Sequence, residues 1–107
     1  MLNVRPRFTV GWLILTPGAL FALVEAQEDP RAFINRHLIG DWGDAGPAEW
    51  AANEYAVRHG HSLFSVYHTR HGRTLWVMTE ASRYSTTILL PQEHPQGKES
   101  KCPRPPQ

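Results

Sequence analysis

Cysteine is almost absent from this chain, whose single cysteine is Cys102, close to the C-terminal end of the sequence. One cysteine excludes an intrachain disulfide and any zinc site built from several cysteines. Common catalytic signatures are missing too: the sequence has no glycine-rich phosphate loop, no nucleophile elbow and no HExxH metal motif. These absences favour a non-catalytic protein and predict neither a cofactor nor a bound metal ion.

A large excess of either charge is also missing, because 11 basic side chains are balanced by 10 acidic ones. This balance excludes the broad basic face that sequence-independent nucleic-acid binding requires. The charges are nevertheless uneven along the chain. Residues 25–54 carry seven acids against Arg31 and Arg36, whereas residues 55–90 carry four arginines against Glu80. Such polarity favours an oriented encounter with another protein.

The sequence contains no uninterrupted apolar run long enough to span a membrane. Its longest apolar stretch, residues 8–24, is broken by Pro17-Gly18. We therefore expect a cytoplasmic protein with no membrane partner. Arg5 and Arg7 precede this stretch and imitate the start of a signal peptide, which leaves export as the alternative.

A length of 107 residues predicts a single domain. Residues 91–107 contain five prolines, and Cys102 is their only apolar residue. Such a segment cannot bury enough surface to offset its ordering entropy. The sequence thus predicts one domain over residues 1–90, followed by a flexible proline-rich tail over residues 91–107.

Three short helices are predicted in the first sixty residues. Thr16-Pro17 is a good helix start, and the apolar spacing that follows predicts a helix to about Gln27. Asp29-Pro30 repeats this start for a second helix, which ends at Gly40. Pro47 opens a third helix that ends at Gly60.

The remaining pattern predicts strands. Residues 8–15 are apolar and rich in β-branched and aromatic side chains, which predicts a buried strand. Residues 63–69, 74–80 and 85–90 have strand composition and short connections, which predict an antiparallel meander. The predicted fold is α+β, with three short helices packed on one face of a three- to four-stranded antiparallel sheet. Leu20 and Trp50 are expected to cover that sheet from the helix side.

Gly40-Asp41-Trp42-Gly43-Asp44, called here the GDWGD loop, is the leading candidate site. In a structural interpretation, Gly40 ends a helix, the two acids cap backbone amides and the indole of Trp42 covers the core. In a functional interpretation, Trp42 is exposed and anchors a protein partner, with both acids as its rim. The predicted partner-binding residues are Asp41, Trp42, Asp44 and Glu49.

Several short stretches, in a fixed order from residue 16 to residue 91, carry a resemblance. They are Thr16-Pro17-Gly18-Ala19-Leu20, Arg36-His37, the GDWGD loop, Asn53, Ser65-Val66-Tyr67, Trp76-Val77-Met78-Thr79-Glu80-Ala81, Arg83 and Thr86-Thr87-Ile88-Leu89-Leu90-Pro91. In these the chain resembles a family of short bacterial proteins carried on plasmids and integrative conjugative elements. The resemblance implies an accessory role, such as modulating host defence, conjugation or element maintenance. The family usually has an acid where this chain has Ser82, so the resemblance supports no mechanism that requires a carboxylate at that turn.

Three further groups of residues are alternatives to a partner-binding loop. His37, Asp41 and Asp44 could support a small metal-dependent hydrolase or nuclease, if they converge. Glu80, Arg83 and Thr86 are predicted to form a polar patch around the second hairpin turn, with an exposed ion pair between Glu80 and Arg83.

Arg70 and Arg73 lie on the first hairpin turn and are the candidate contacts for nucleic acid. Two arginines on one turn would contact only a few phosphates, so any such binding should be weak and dependent on salt. The sequence as a whole favours a non-catalytic accessory protein of a mobile genetic element that acts by contacting another protein.

Overall fold

The computed structural model describes residues 5–94, which form a mixed sheet and three helices and confirm the α+β class. The elements follow one another as β1 (Trp12–Leu15), α1 (Pro17–Ala26), α2 (Pro30–Leu38), α3 (Pro47–His59), β2 (Leu63–His68), β3 (Thr74–Thr79) and β4 (Ser85–Leu89). A short 3₁₀ turn, Pro91–Glu93, comes after β4.

The four strands lie in the order β1-β4-β3-β2. β2, β3 and β4 form the expected antiparallel meander, in which Val77 lies between Ser65 on one side and Ile88 on the other. β1 adds a pairing that the sequence did not predict, because it lies parallel to β4 with Leu15 opposite Ile88. The sheet is therefore mainly antiparallel, with one parallel edge strand.

Local signals place the helix ends where the sequence predicts them. The hydroxyl of Thr16 accepts a hydrogen bond from the backbone N–H of Ala19, and the carboxylate of Asp29 accepts one from that of Arg31. α2 ends in a Schellman motif: Gly40 has φ +89°, its N–H bonds the carbonyl of His37, and the N–H of Asp41 bonds that of Arg36. These helix boundaries are confirmed predictions.

The main core lies between one face of the sheet and the first two helices. α1 and α2 supply small and large apolar side chains to it, and the strands supply alternate residues from the facing side of the sheet. The buried members are Ala19, Ala22, Leu23, Phe33, Ile34, Tyr67, Leu75, Val77, Ile88 and Leu90.

α3 runs along the outer edge of β2. The side-chain amide of Asn53 donates to the carbonyl of Phe64 at 2.7 Å, and its oxygen accepts from the N–H of Phe64 at 3.1 Å. One asparagine thus replaces a neighbouring strand at this position, which satisfies backbone groups that would otherwise be unpaired. These two hydrogen bonds hold α3 against the edge of the sheet.

The predicted buried strand over residues 8–15 is wrong in two respects. Only Trp12–Leu15 is a strand, and its residues lie at the edge of the sheet, where the side chain of Trp12 is 69% exposed. Phe8 belongs instead to an irregular segment and packs against Trp42. An apolar run does not show whether its strand is central or at an edge. Leu20 and Trp50, expected in the core, are likewise exposed.

The predicted tail begins too early. Pro91–Glu93 belongs to the fold, because the Glu93 carboxylate accepts hydrogen bonds from the backbone N–H groups of Gly18 and Leu90 at 2.9 and 2.8 Å. The rest of the predicted tail, residues 95–107, lies outside the described residues. Within the described part of the chain, no helix combines the length and apolar character needed to cross a membrane.

Candidate functional site

The GDWGD loop is part of the core. Trp42 is 0% exposed and packs between the rings of Phe8 and His37, at centroid distances of 6.2 and 5.6 Å. Its indole N–H donates to a carboxylate oxygen of Glu54 at 3.0 Å. The predicted partner-binding role of Trp42 is therefore wrong, because a fully buried indole with a satisfied N–H offers nothing to an external protein.

Glu54 on α3 is the residue that ties this loop to the N-terminal segment, and the sequence reasoning missed it. Its carboxylate accepts two hydrogen bonds from Arg7, at 2.9 and 3.0 Å, besides the one from Trp42. The bidentate bond from Arg7, followed by the indole bond, lowers the pKa of Glu54 to about 2. The Glu54 carboxylate therefore has a structural role, because it links the N-terminal segment and the GDWGD loop to α3.

The two acids of the GDWGD loop have separate partners. Asp41 accepts from Arg36 at 2.7 Å and from the N–H of Gly43 at 3.2 Å, and the hydrogen bond from Arg36 is the main cause of its lowered pKa. Asp44 has a side chain that is 70% exposed and lies 2.8 Å from Nε2 of His68. Asp41, Trp42 and Asp44 thus do not form a common recognition surface.

Gly43 pairs the loop with the outer edge of β2, as an isolated parallel bridge to Val66. The N–H of Asp44 donates to the carbonyl of Val66 at 2.8 Å, and the N–H of Val66 donates to the carbonyl of Trp42 at 3.2 Å. Together with Asn53, this bridge covers the edge of β2. Covering an edge strand in this way protects it from pairing with other chains.

Replacing Gly43 with alanine should lower the free energy of unfolding by about 2–4 kcal/mol. The residue has φ +68°, and an added Cβ would lie 2.0 Å from the carbonyl oxygen of Val66. Gly72→Ala is the matched control, because Gly72 has φ +83° with nothing within 4 Å, so only the cost of the left-handed backbone, about 1 kcal/mol, should remain. Urea unfolding of both variants measures the difference, and equal losses would contradict a tight loop–strand contact.

His37 is the centre of a buried polar network beneath the loop. Nδ1 lies 2.6 Å from Oγ of Ser65, Nε2 lies 2.9 Å from Oγ1 of Thr79, and Thr79 lies 2.7 Å from Oγ1 of Thr86. Thr86 donates its only hydroxyl hydrogen to the carbonyl of Val10 at 2.9 Å.

That last bond fixes the direction of the hydrogen bonds on the Nε2 side of the imidazole. Because Thr86 must accept from Thr79, Thr79 must accept from Nε2–H of His37. Burial, with a smaller contribution from the charge of Arg83, lowers the pKa of His37 to about 3, so the ring is neutral at pH 7. A neutral ring with its hydrogen on Nε2 accepts from Ser65 at Nδ1.

The alternative in which His37, Asp41 and Asp44 converge on a metal ion is not supported by their positions. Both ring nitrogens of His37 bond to hydroxyl groups, and Asp41 pairs with Arg36. Within residues 5–94, no group of three His, Cys, Asp or Glu side chains is placed to hold a metal ion. The Ser65–His37 pair is also buried, so no substrate can reach its hydroxyl.

The predicted polar patch of Glu80, Arg83 and Thr86 does not form. Thr86 is fully buried, and Glu80 accepts from the hydroxyl of Ser85 at 2.8 Å rather than from Arg83. The guanidinium of Arg83 donates to the carbonyl of Ala56 at 3.1 Å and to that of His61 at 2.7 Å. Arg83 thus caps the C-terminal end of α3, where a cation also offsets the helix dipole.

The first hairpin turn, with Arg70 and Arg73, is a weak candidate for phosphate binding, because an acid of α1 and another just after that helix lie beside it. Glu25 lies 3.7 Å from Nη1 of Arg73, and the carboxylate of Glu28 accepts from the backbone N–H of Arg70 at 2.9 Å. Carboxylates at this distance repel a phosphate backbone, which is held by local positive charge.

A groove of about 810 Å³ lies between α3 and the face of the sheet opposite the main core. Its size is within the range of ligand sites in proteins, about 300–1,000 Å³. Strands β2, β3 and β4 contribute lining residues from the sheet, and α3 contributes residues at helical spacing. The described lining residues are Glu49, Ala52, Asn53, Tyr55, Ala56, Gly60, His61, Ser62, Leu63, Phe64, Met78, Thr79, Glu80, Ala81, Thr87, Leu89 and His94.

The groove brings together two of the acids that the sequence singled out separately. Glu49 and Glu80 lie at its wall, and among the described lining residues they are the only ones of type Asp, Glu, Lys or Arg. The apolar part is formed by Phe64, Met78 and Leu89. The lining of the groove therefore combines apolar side chains with two acidic ones.

The chain matches no protein-family model, no curated protein and no solved structure. Functional inference for this chain therefore depends on the geometry of its own residues.

Sequence reasoning missed this groove because it assigned all apolar strand residues to one core. Trp76, Val77 and Met78 are consecutive, as are Ile88, Leu89 and Leu90, and consecutive strand residues point to opposite faces. Such continuous apolar runs indicate a sheet that is covered on both faces. The small side chains Ala52 and Ala56, one helical turn apart on α3, were a further signal of open space beside that helix.

Proposed function

We propose that this protein is a non-catalytic accessory protein of a mobile genetic element, which acts in the cytoplasm by binding another protein, such as a component of a host defence system. The binding surface in this proposal is the groove between α3 and the sheet. The resemblance to proteins carried on plasmids and conjugative elements supports the biological setting. The single observation that carries the binding role is the apolar groove with Glu49 and Glu80 at its wall.

The chemistry of the groove indicates its occupant. Phe64, Met78 and Leu89 offer apolar surface for one or two inserted side chains. Glu49 and Glu80 favour positive charge beside that insertion. The occupant is therefore a segment of a partner protein that presents apolar side chains flanked by lysine or arginine.

A non-catalytic role is supported by the way the titratable groups are used. His37 is buried and neutral, Glu54 is held by Arg7, and Asp41 is held by Arg36. General acid–base catalysis needs such a group within reach of a substrate and with a pKa near the working pH. None of these three meets both conditions.

A short capped peptide with two leucines and a phenylalanine between two arginines should bind the protein at least about tenfold more tightly than the same peptide with glutamates in place of arginines. Opposite charges at the groove attract the first peptide, and like charges repel the second. Fluorescence anisotropy of labelled peptides at low and high salt measures both affinities, and the difference should shrink as salt screens the charges.

Two alanines on α3 provide a matched test of location. Ala52 lines the groove and Ala51 does not, although both are exposed on the same helix. Ala52→Trp should fill the groove and abolish peptide binding, whereas Ala51→Trp should leave it unchanged. Equal binding by both variants, or preference of the wild type for the acidic peptide, would rule out the proposed surface.

A further inference from the structure

The two edge strands of the sheet differ in whether their outward backbone groups are covered. The outer edge of β2 is covered by the bridge from Gly43 and by the side-chain amide of Asn53. β1, at the other edge, pairs only with β4 within residues 5–94. The N–H groups of Trp12 and Thr16 bond to the carbonyls of Tyr84 and Ile88, so even-numbered residues of β1 face β4. The N–H and C=O groups of Leu13 and Leu15 therefore point outwards.

The side chains of β1 are apolar although they are exposed. Trp12 is 69% exposed, Ile14 46% and Leu13 37%. No charged residue and no proline lies within the strand, and the sequence has no charged side chain from residue 8 to residue 24. Proteins normally protect a free edge with charges, proline or a covering element, and within residues 5–94 none of these protects β1.

We propose that β1 pairs antiparallel with β1 of a second copy of this chain, which makes the protein a symmetric dimer with a continuous eight-stranded sheet. The outward groups of Leu13 and Leu15 determine the register. With Ile14 opposite Ile14 of the second copy on the twofold axis, each Leu13 exchanges two backbone hydrogen bonds with the opposing Leu15.

A second copy suits this edge because the strand is complementary to itself. It is uncharged, so an identical strand brings no repulsion. Ile14 meets Ile14 of the second copy, and Trp12, on the same face of the sheet, lies diagonally across from that residue. Tyr84, whose carbonyl accepts from Trp12, is also exposed and extends the apolar surface at the start of the strand.

Pairing through β1 also produces a closed assembly. Among the described residues, the sheet edges left in the dimer are the two β2 edges, and both are covered by Gly43 and Asn53. Growth therefore stops at two copies, whereas a sheet with uncovered outer edges would extend into higher oligomers.

The full chain should change from a monomer of 12.2 kDa to a species of twice that mass as its concentration rises from about 5 to about 500 µM, as measured by light scattering after size exclusion. Leu13→Pro should weaken the dimer by at least about tenfold, because proline removes an outward donor and its ring obstructs the neighbouring strand. The fold should survive, since that N–H is not used within the monomer.

Ile14 gives a second test that also checks the register, because opposing side chains at a twofold pair lie close, with Cα atoms about 4.5 Å apart. Ile14→Lys alone and Ile14→Glu alone should both be monomeric, and an equimolar mixture of the two should dimerise. The proposal is overturned by a wild type that stays monomeric over the whole range, by oligomers larger than a dimer, or by a mixture that does not restore the dimer. If Leu13→Pro fails to fold, the lysine and glutamate variants decide the question.

Discussion

Trp42→Ala should lower the free energy of unfolding by about 3–5 kcal/mol. The indole is 0% exposed and packs against Phe8 and His37, so its removal leaves a cavity at the junction of the loop, α3 and β2. Truncation also leaves the Glu54 carboxylate without its indole donor. Because small domains are stable by only about 5–15 kcal/mol, this loss is a large part of the total and should move the unfolding midpoint to a much lower urea concentration.

Trp50→Ala is the control for this prediction, since Trp50 is on α3 beside the loop but is exposed. Trp50→Ala should lower the free energy of unfolding by about 1 kcal/mol or less, because the side chain is exposed and makes one hydrogen bond, to the carbonyl of Gly43. Urea unfolding followed by far-ultraviolet circular dichroism measures both variants. Similar stabilities for Trp42→Ala and wild type would mean that the indole is not a core residue.

This expectation changes how a binding experiment on the GDWGD loop should be read. If Trp42→Ala failed to bind a partner, the loss of stability would explain the failure as well as the loss of a direct contact would. Variants that keep the fold, such as Ala52→Trp and Ala51→Trp on α3, separate binding from stability. The loop is therefore a poor position for mapping partners.

The second large effect is the loss of stability in mild acid caused by His37. The unfolded chain binds a proton at this side chain below pH 6.5, whereas the folded chain does so only near pH 3. The stabilisation is therefore complete above pH 6.5 and is lost progressively as the pH falls towards 3. The free energy of unfolding should fall with a slope that approaches about 1.4 kcal/mol per pH unit.

The lowered pKa of Glu54 acts in a more acidic range, from its usual 4.5 down to about 2, so the interval from pH 6 to pH 4.5 reports mainly on His37. His37→Gln should remove most of the slope in that interval, because a glutamine amide can donate to Thr79 and accept from Ser65 without titrating. His71→Gln, at an exposed hairpin turn, should keep the wild-type slope of the unfolding free energy against pH. Equal slopes for wild type and His37→Gln, measured by urea unfolding at several pH values, would contradict a buried neutral imidazole.

The features that the sequence predicted well are those set by neighbouring residues. Thr16, Asp29 and the prolines that follow them define helix starts through their own side chains and restricted backbone. Gly40 ends α2 through a local left-handed turn. The meander followed in the same way from short turns between strands, such as residues 69–73.

The features that the sequence did not predict depend on contacts between distant parts of the chain. Trp42 is buried partly by Phe8, 34 positions earlier in the N-terminal segment, and nothing near Trp42 in the sequence encodes that contact. Arg83 was expected to pair with Glu80 but instead caps α3 through Ala56. β1 pairs with β4, a strand about 70 residues later in the sequence, so its position at an edge depends on the arrangement of the whole sheet.

The most direct test of the proposed function is an NMR titration of isotopically labelled protein with the arginine-flanked peptide. We expect the largest amide shifts at groove residues Ala52, Met78 and Leu89, with Gly43 and Asp44 in the GDWGD loop nearly unchanged. Shifts centred on the loop, or none at a saturating peptide concentration, would contradict binding through the groove.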